Sequence, residues 1–519
     1  MARSGDIFVR ILVRKCNLII MSKHHFNDTL RANSVSAISK IGSIVAEKDK
    51  NLIEYYVAKE KYVDRAMSFD DHAVFFVGPK GAGKSAILQM VRLLKHDDND
   101  RVINISPDDL AFSALANVQA ETPLIVNAGQ NQHVFRSLWD YVLSIEILKK
   151  EFHERTRLLS TVLSFFRGPE RNEAERLVKM SVSDDGTPYT LSDRILQLIN
   201  EIELSGDIHG VKVTGLARVG ESPHSRQLKL LALVNSVAKN LRQVINRNYH
   251  VLIDDLDTNW NDTITQNAFL AALFASLKKL NNDKVKFVVA LRERIYTSLP
   301  LDDKDKHRES VSYVEWDRPS VEEMIAKRLA FTLKITPDEI WGGLFPEGST
   351  VALWRRTTGQ PREMLRLALV CLEMALREGH RKVEQGDIGL AVTKFSKEKI
   401  EDLGSELTYK YRGFYQLIMK LHGCAKQFPM RKIEDIALEV AAEFDPKPKN
   451  QLPYEWAKVY IDDPVGLARI FLETGVCQYK VNRTAPPEDF TPDKPQPITS
   501  QTWLAVHPMF TPGLQCVGD

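Results

Sequence analysis

Cysteine is scarce in this chain. Its five residues, Cys16, Cys371, Cys424, Cys477 and Cys516, lie far apart in 519 positions. They give no disulfide framework and no metal-ligand spacing, so a reducing, cytoplasmic location is expected. An excess of charge of one sign is also missing. The 70 Lys and Arg residues nearly balance the 68 Asp and Glu residues, leaving a net +2. That excludes nucleic-acid binding by whole-surface attraction and leaves only a local basic patch as a route to DNA. No apolar run is long enough to span a bilayer, so no membrane partner is expected. Near the start, Ile7–Val13 and Asn17–Ile20 are largely apolar, but Arg10, Arg14 and Lys15 interrupt them. No small-residue cleavage site follows, so these runs do not read as a secretory signal. Polar sequence begins at Met21, and residues 1–20 are expected to be an extension outside the native structure.

The remaining composition is that of an ordinary globular protein, and the length suggests about three domains. The most informative stretch is Gly78-Pro79-Lys80-Gly81-Ala82-Gly83-Lys84-Ser85, followed by Ala86. It fits the phosphate-binding pattern G-x-x-x-x-G-K-[ST]. The apolar run Ala73–Val77 precedes it, and Ile87, Val91 and Leu94 follow at helical spacing. A strand, a glycine-rich turn and a helix are therefore expected in that order, the context that gives the motif its meaning. The glycines let backbone N–H groups converge, and the helix N-terminus adds positive potential. Lys84 would reach the β- and γ-phosphates of ATP, and Ser85 would place its hydroxyl on Mg²⁺.

A second apolar run, His250–Ile253, ends in Asp254-Asp255-Leu256-Asp257. This reads as a buried strand delivering carboxylates to its C-terminal end, where ligands of open α/β sheets bind. Asp254 would join the Mg²⁺ shell, and Asp255 would orient or deprotonate the attacking water. A third run, Val285–Leu291, ends in Arg292-Glu293-Arg294. Arg292 and Arg294 would either neutralise the γ-phosphate, in cis or on a neighbouring subunit, or make surface salt bridges through Glu293 and Asp302.

Other expectations follow from periodicity. Residues 30–68 read as helical, and 101–106 as a strand. Helices are expected at 133–158 and 228–245, with a less regular insertion at 165–225 that includes a possible hairpin at 209–219. Asp302–Arg308 reads as a solvated charged loop, and the chain beyond Trp316 as helical. Pro361 opens a helix that carries Arg362 in its first turn. In the tail, helices near 414–421, 433–444 and 463–472 precede strands at 476–481 and 502–507. Helices followed by a β-ribbon suggest a winged helix. Its recognition helix has Arg469 as its one base, which favours a protein partner over DNA.

Gly78–Ser85, Ile253–Asp257, Ala290–Arg292 and Gly359-Gln360-Pro361-Arg362 occur in that order. Together they resemble the AAA+-like P-loop ATPases of the STAND and KAP type, over roughly residues 35–400. The resemblance implies an α/β core of the additional-strand type with a parallel sheet. It further implies a helical insertion, a helical lid and a C-terminal winged-helix-like domain. The boundaries expected are 21–70 for an N-terminal helical segment, 71–300 for the core with insertion 110–245, 301–400 for the lid and 401–519 for the last domain. Lys84 and Ser85 would meet phosphate and Mg²⁺, Asp254 would hold Mg²⁺, Asp255 would take the catalytic acidic role, and Arg362 would sense the γ-phosphate. Two departures stand out. Asp-Asp replaces the Asp-Glu of unfoldases, and Arg292 stands where they carry a small polar sensor. Both favour a slow switch or homo-oligomeric scaffold acting on an effector protein, and bacterial proteins of this type often act in anti-phage defence. The alternative is a DNA-binding ATPase resembling origin-recognition proteins.

Overall fold

In the computed structural model, residues 43, 45–95, 100–106, 132–153, 169–179, 223–257, 263–301, 304–408, 410–444, 453–490 and 496–518 are described. They separate into two compact units. One is Ala58–Glu315, and the other joins the described residues of Met1–Val57 to those of Trp316–Asp519.

The first unit is built on five strands: β1 (Phe75–Gly78), β2 (Asp100–Ile105), β3 (Asn248–Ile253), β4 (Val285–Arg292) and β5 (Val311–Tyr313). Their order is β2-β3-β4-β1-β5, and each pairing is parallel. Strand β4 thus lies between the strand of the glycine loop and the strand of the acidic pair. This is an additional-strand P-loop α/β fold, as the sequence implied. The strands β1, β3 and β4 are central, and their unbroken apolar runs are buried on both faces.

The two faces divide by residue parity. Phe75, Val77, Val251, Ile253, Phe287, Val289 and Leu291 join one apolar core. The helices α1 (Lys84–Leu94), α2 (Gln132–His153), α3 (Pro169–Lys179), α4 (Pro223–Val244) and α5 (Ile264–Leu280) complete the layers. The Phe75 ring stacks on Phe274 of α5 at 3.6 Å, and the Trp139 indole of α2 donates to the Phe269 carbonyl at 2.9 Å. On the other face His250 and Lys286 are register partners, both buried. A strap over residues 67–71 covers them. The His250 Nε2 lies 3.0 Å from the Met67 carbonyl, the Phe69 ring meets the imidazole edge-on, and the Lys286 ammonium donates to the Asp71 carbonyl.

In the second unit, helices α6 (Arg318–Leu333), α7 (Pro361–Arg377) and α8 (Gln385–Glu406) share one core with the tail. Then follow β6 (Gln427–Pro429), α9 (Arg431–Phe444), α10 (Pro464–Glu473), β7 (Cys477–Lys480) and β8 (Trp503–Val506). The three strands pair antiparallel in the order β6-β8-β7. The tail thus runs as a strand, two helices and a two-stranded ribbon.

Some expectations are corrected. Within 30–68, the described part is not one helix but short turns at Ala46–Lys48, Leu52–Tyr55, Lys59–Val63 and Asp64–Met67. Ala58 has a φ of 66°, which no right-handed helix admits. The Asp49 carboxylate also accepts the Asn51 amide and the Tyr55 hydroxyl, ending the first turn locally. Within the insertion, Pro169–Lys179 is a regular helix. The charged loop at 302–308 contains a helical turn, Lys304–His307, and leads into the unanticipated strand β5. The hairpin at 209–219 and the side chain of Asp302 lie outside the described residues.

Candidate nucleotide site

The glycine loop leaves the sheet at Gly78, the last residue of β1. A Cβ on Gly78 would meet the Val314 carbonyl oxygen at 3.0 Å and the Val314 side chain at 3.3 Å. Val314 in turn donates its amide to the Val77 carbonyl at 2.7 Å. The chain after β5 therefore backs the loop closely, and a side chain at Gly78 would press on it. Gly81 and Gly83 have φ of 88° and 89°, the left-handed region that side chains disfavour. Between them Ala82 is fully buried and donates its amide to the Pro79 carbonyl at 3.3 Å. Lys80 is exposed, and Pro79 is half-buried.

Gly83 leads directly into α1, so Lys84, Ser85 and Ala86 occupy its first turn. The first turn of an α-helix presents amides beyond its own hydrogen-bond ladder, a natural seat for an anion. The Lys84 ammonium folds back and donates to the Gly78 and Pro79 carbonyls, each at 2.8 Å. The lysine is thus already turned into the mouth of the loop.

The acidic pair sits two strands away. Pairing of β3 with β2 continues through the Asp254 amide, which donates to Ile105 at 3.2 Å. Asp255 then turns into the left-handed region, with a φ of 58°, and donates its amide to the Asp254 carboxylate at 3.0 Å. The turn alternates: Asp254 half-buried, Asp255 exposed, Leu256 buried, Asp257 half-buried. Leu256 anchors the turn in the core and holds the carboxylates at its rim.

Arg292 ends β4, the strand between them, and its register partner is Gly78. Its guanidinium pairs with the Asp257 carboxylate. The sequence reading had not assigned Asp257 a role. Arg294 is exposed in the first turn of a short helix, Glu293–Ser298. Arg292, Asp254 and the glycine loop that leads to Lys84 therefore lie at the C-terminal ends of β4, β3 and β1, three adjacent strands. Strand β4 sets the spacing between the other two.

Arg362 belongs to the other unit. It is exposed in the first turn of α7, after Gly359 at a φ of 77°. Glu363, unmarked in the sequence reading, shapes this turn. Its carboxylate accepts the Thr358 amide at 2.8 Å and hydroxyl at 2.7 Å, and Lys399 of α8 lies 2.9 Å away. Burial works against the charged form, yet Lys399 and Thr358 hold its pKa below the ordinary glutamate value. The only earlier signal was a Glu five residues after a Thr.

The donor set fits Mg²⁺ with a nucleotide phosphate. The Ser85 hydroxyl and Asp254 carboxylate are hard oxygen donors, and Mg²⁺ takes few protein ligands alongside phosphate and water. Among the described residues no group of three or more His, Cys, Asp or Glu could hold a metal by itself. None of the described helices is long and apolar enough to cross a membrane.

Comparisons with known proteins bear on the second unit most directly. A family model described as the FunZ-associated C-terminal helical domain matches residues 319–404, which run through α6, α7 and α8. The chain is similar to a protein described as a transposon gamma-delta 80.3 kDa protein of Escherichia coli (strain K12). The two are 21% identical over 514 residues, 93% of this chain and 68% of the relative. Among solved structures it is similar to the Aeropyrum pernix ORC1 protein in complex with DNA. That match has 12% identity and a TM-score of 0.40, covering 90% of this chain and 93% of that one. The Aeropyrum pernix ORC2 protein in ADPNP–ADP complexes matches at 11% identity and a TM-score of 0.38, over 90% and 98%. A Walker-type ATPase of Pyrococcus abyssi matches at 10% identity and a TM-score of 0.33, over 89% and 96%. These superpositions are loose, and the fold stated above stands on strand order and loop geometry.

Proposed function

We propose that this chain is an AAA+-like ATPase that binds ATP with Mg²⁺ at Gly78–Ser85 and hydrolyses it slowly. One observation carries the reading: a phosphate-shaped loop, a cation and an acidic turn end three neighbouring parallel strands, β1, β4 and β3. Backbone amides of Gly81–Ser85 cradle the phosphates, and Lys84 exchanges its two carbonyl partners for phosphate oxygens. Ser85 and Asp254 hold Mg²⁺, which when bound neutralises charge on the phosphates. Asp255, exposed on its turn, orients the attacking water and takes its proton. Arg292 neutralises the γ-phosphate. Arg294 and Arg362 serve as further cations toward the nucleotide, in cis or from a second copy.

The slow turnover suits a switch or homo-oligomeric scaffold acting on an effector protein, in an anti-phage setting of the kind the sequence resemblance implied. A full switch between states requires a ligand to favour one of them by about 5.5 kcal/mol. A single exposed ion pair supplies only about 0–1 kcal/mol. Several contacts must therefore change together, and the helical domain carrying Arg362 is the proposed lid that changes them. The winged-helix-like topology also allows a second reading, DNA binding. The exposed side of α10 argues against it: Val465, Arg469 and Glu473 line it, and Asp462 and Asp463 precede it.

The test is nucleotide binding by the full chain, followed with a fluorescent ATP analogue and Mg²⁺. Wild type is expected to bind, and Lys84→Ala is expected to lose binding. Equal binding by both, or none by wild type, rejects the site. Size measurement with and without ATP–Mg²⁺ then tests the switch, which predicts a larger species with ATP.

A further inference from the structure

We infer that Asp257 is a built-in competitor for the γ-phosphate, holding Arg292 until a triphosphate takes its place. The inference rests on the ATPase reading above and adds a positioning residue that discriminates ATP from ADP.

Arg292 stands in register with Gly78 on the adjacent parallel strand, so its backbone lies beside the residue where the phosphate loop leaves the sheet. Arginine stays charged at any ordinary pH, so only a competing anion can change its pairing. An anion that pairs with it is Asp257, three residues beyond Asp254 on the same turn. Leu256 is buried in the core between two outward carboxylates, and Asp255 sits in the left-handed region. Asp257 is therefore presented from a fixed support and not from a long flexible side chain.

A terminal phosphate carries more charge than a carboxylate and offers the planar guanidinium a bidentate partner. It can displace Asp257, whose side chain is 23% exposed and returns readily to water. A diphosphate lacks the group that would compete. Binding of ATP thus opens the Asp257–Arg292 pair, and release of the terminal phosphate allows it to close. The turn that carries Asp254 and Asp255 loses or regains a tether in step with the nucleotide.

The experiment compares ATP and ADP affinities, with Mg²⁺, for the full-length wild type, Asp257→Asn, Arg292→Ala and the double variant. Asp257→Asn is expected to bind ATP about fivefold more tightly, the scale a half-exposed ion pair can withhold. Its ADP affinity is expected to be unchanged. Asp257→Glu, which keeps the anion, should restore the wild-type ATP-to-ADP ratio. In the Arg292→Ala background, Asp257→Asn should have no effect. A gain that persists without Arg292 would indicate simple relief of repulsion and overturn the inference. An unchanged ratio in Asp257→Asn overturns it too, while leaving the ATPase reading intact if Lys84→Ala still abolishes binding. If wild type binds no nucleotide, both fall together. Circular dichroism of each variant separates loss of folding from loss of discrimination, and a misfolded Asp257→Asn leaves Arg292→Ala to decide: an ATP-to-ADP ratio equal to wild type overturns the inference.

Discussion

Arg328 and Asp49 form an ion pair 2.8 Å long, with side chains 7% and 1% exposed. The same guanidinium donates to the Ser43 carbonyl at 2.6 Å and lies 4.9 Å from the Tyr55 ring centre. The Tyr55 hydroxyl donates to the other Asp49 oxygen. Burial, then the Asp49 carboxylate, pushes the Tyr55 phenol upward, so it stays protonated across the working range. One buried cation therefore fastens residues 43–57 to helix α6.

Removing one partner of such a pair strands the other in the interior, at a cost of about 3–5 kcal/mol. Arg328→Ala is expected to lower stability by that amount in urea unfolding. Arg328→Met combined with Asp49→Leu should recover much of it, because neither residue then leaves an unpaired charge. A wild-type midpoint for Arg328→Ala would show that the clamp carries no weight.

Lys286 yields a pH prediction. Burial, opposed by Asp71 and assisted by Arg65, lowers its ammonium from 10.5 to about 8. His250, its register partner, is buried beside it on the same face of the sheet. Between about 8 and 10.5 the unfolded chain binds the proton and the folded chain does not, so folding stability contributed by this group rises with pH. The slope is at most about 1.4 kcal/mol per unit. Below about 8 the folded lysine is charged, and the penalty is fully present. Lys286→Met should remove this rise, which a comparison of unfolding curves at pH 7.5 and pH 10 would read as roughly a difference of up to 3 kcal/mol between the two proteins.

The two aspartates of the acidic turn should separate by readout. Asp254→Ala is expected to raise the Mg²⁺ concentration needed for ATP binding. Asp255→Asn should bind ATP as wild type does and hydrolyse it about 10²-fold more slowly or worse, the typical cost of losing a general base. Phosphate release measured across a Mg²⁺ titration distinguishes these outcomes. Identical curves for the two variants would show that the turn does not divide the work.

For the tail, the charge on α10 predicts no specific hold on DNA. Fluorescence anisotropy with duplex DNA should show no binding at low salt. A strong affinity falling steeply with salt would instead reveal phosphate contacts and favour the DNA reading.

Much of the core was legible in sequence because burial on both faces writes itself as unbroken apolar runs. Ala73–Val77, His250–Ile253 and Val285–Leu291 all became central strands. The edge strand β5 was not legible, since three residues after a charged run carry no periodicity and their pairing is settled by β1. Strand β6 is equally short and equally dependent on β8. Within the site, the glycine loop and the acidic turn could be read from local pattern. The Asp257–Arg292 pair could not, because it joins two strand ends that only sheet order brings together. The broken helix at 45–67 was hidden for a related reason. Its apolar spacing is helical, but the buried Asp49 and the left-handed Ala58 answer to packing that local periodicity cannot see.

The division of the chain also has a consequence for its birth on the ribosome. Ala58–Glu315 is contiguous and can collapse as soon as it emerges, whereas Ser43 must wait for Arg328, 285 positions downstream. At ordinary translation rates that delay is roughly 15 to 60 seconds. During it, residues 43–57 lack the helix that covers them in the folded unit and stay open to whatever chaperone or protease reaches them first.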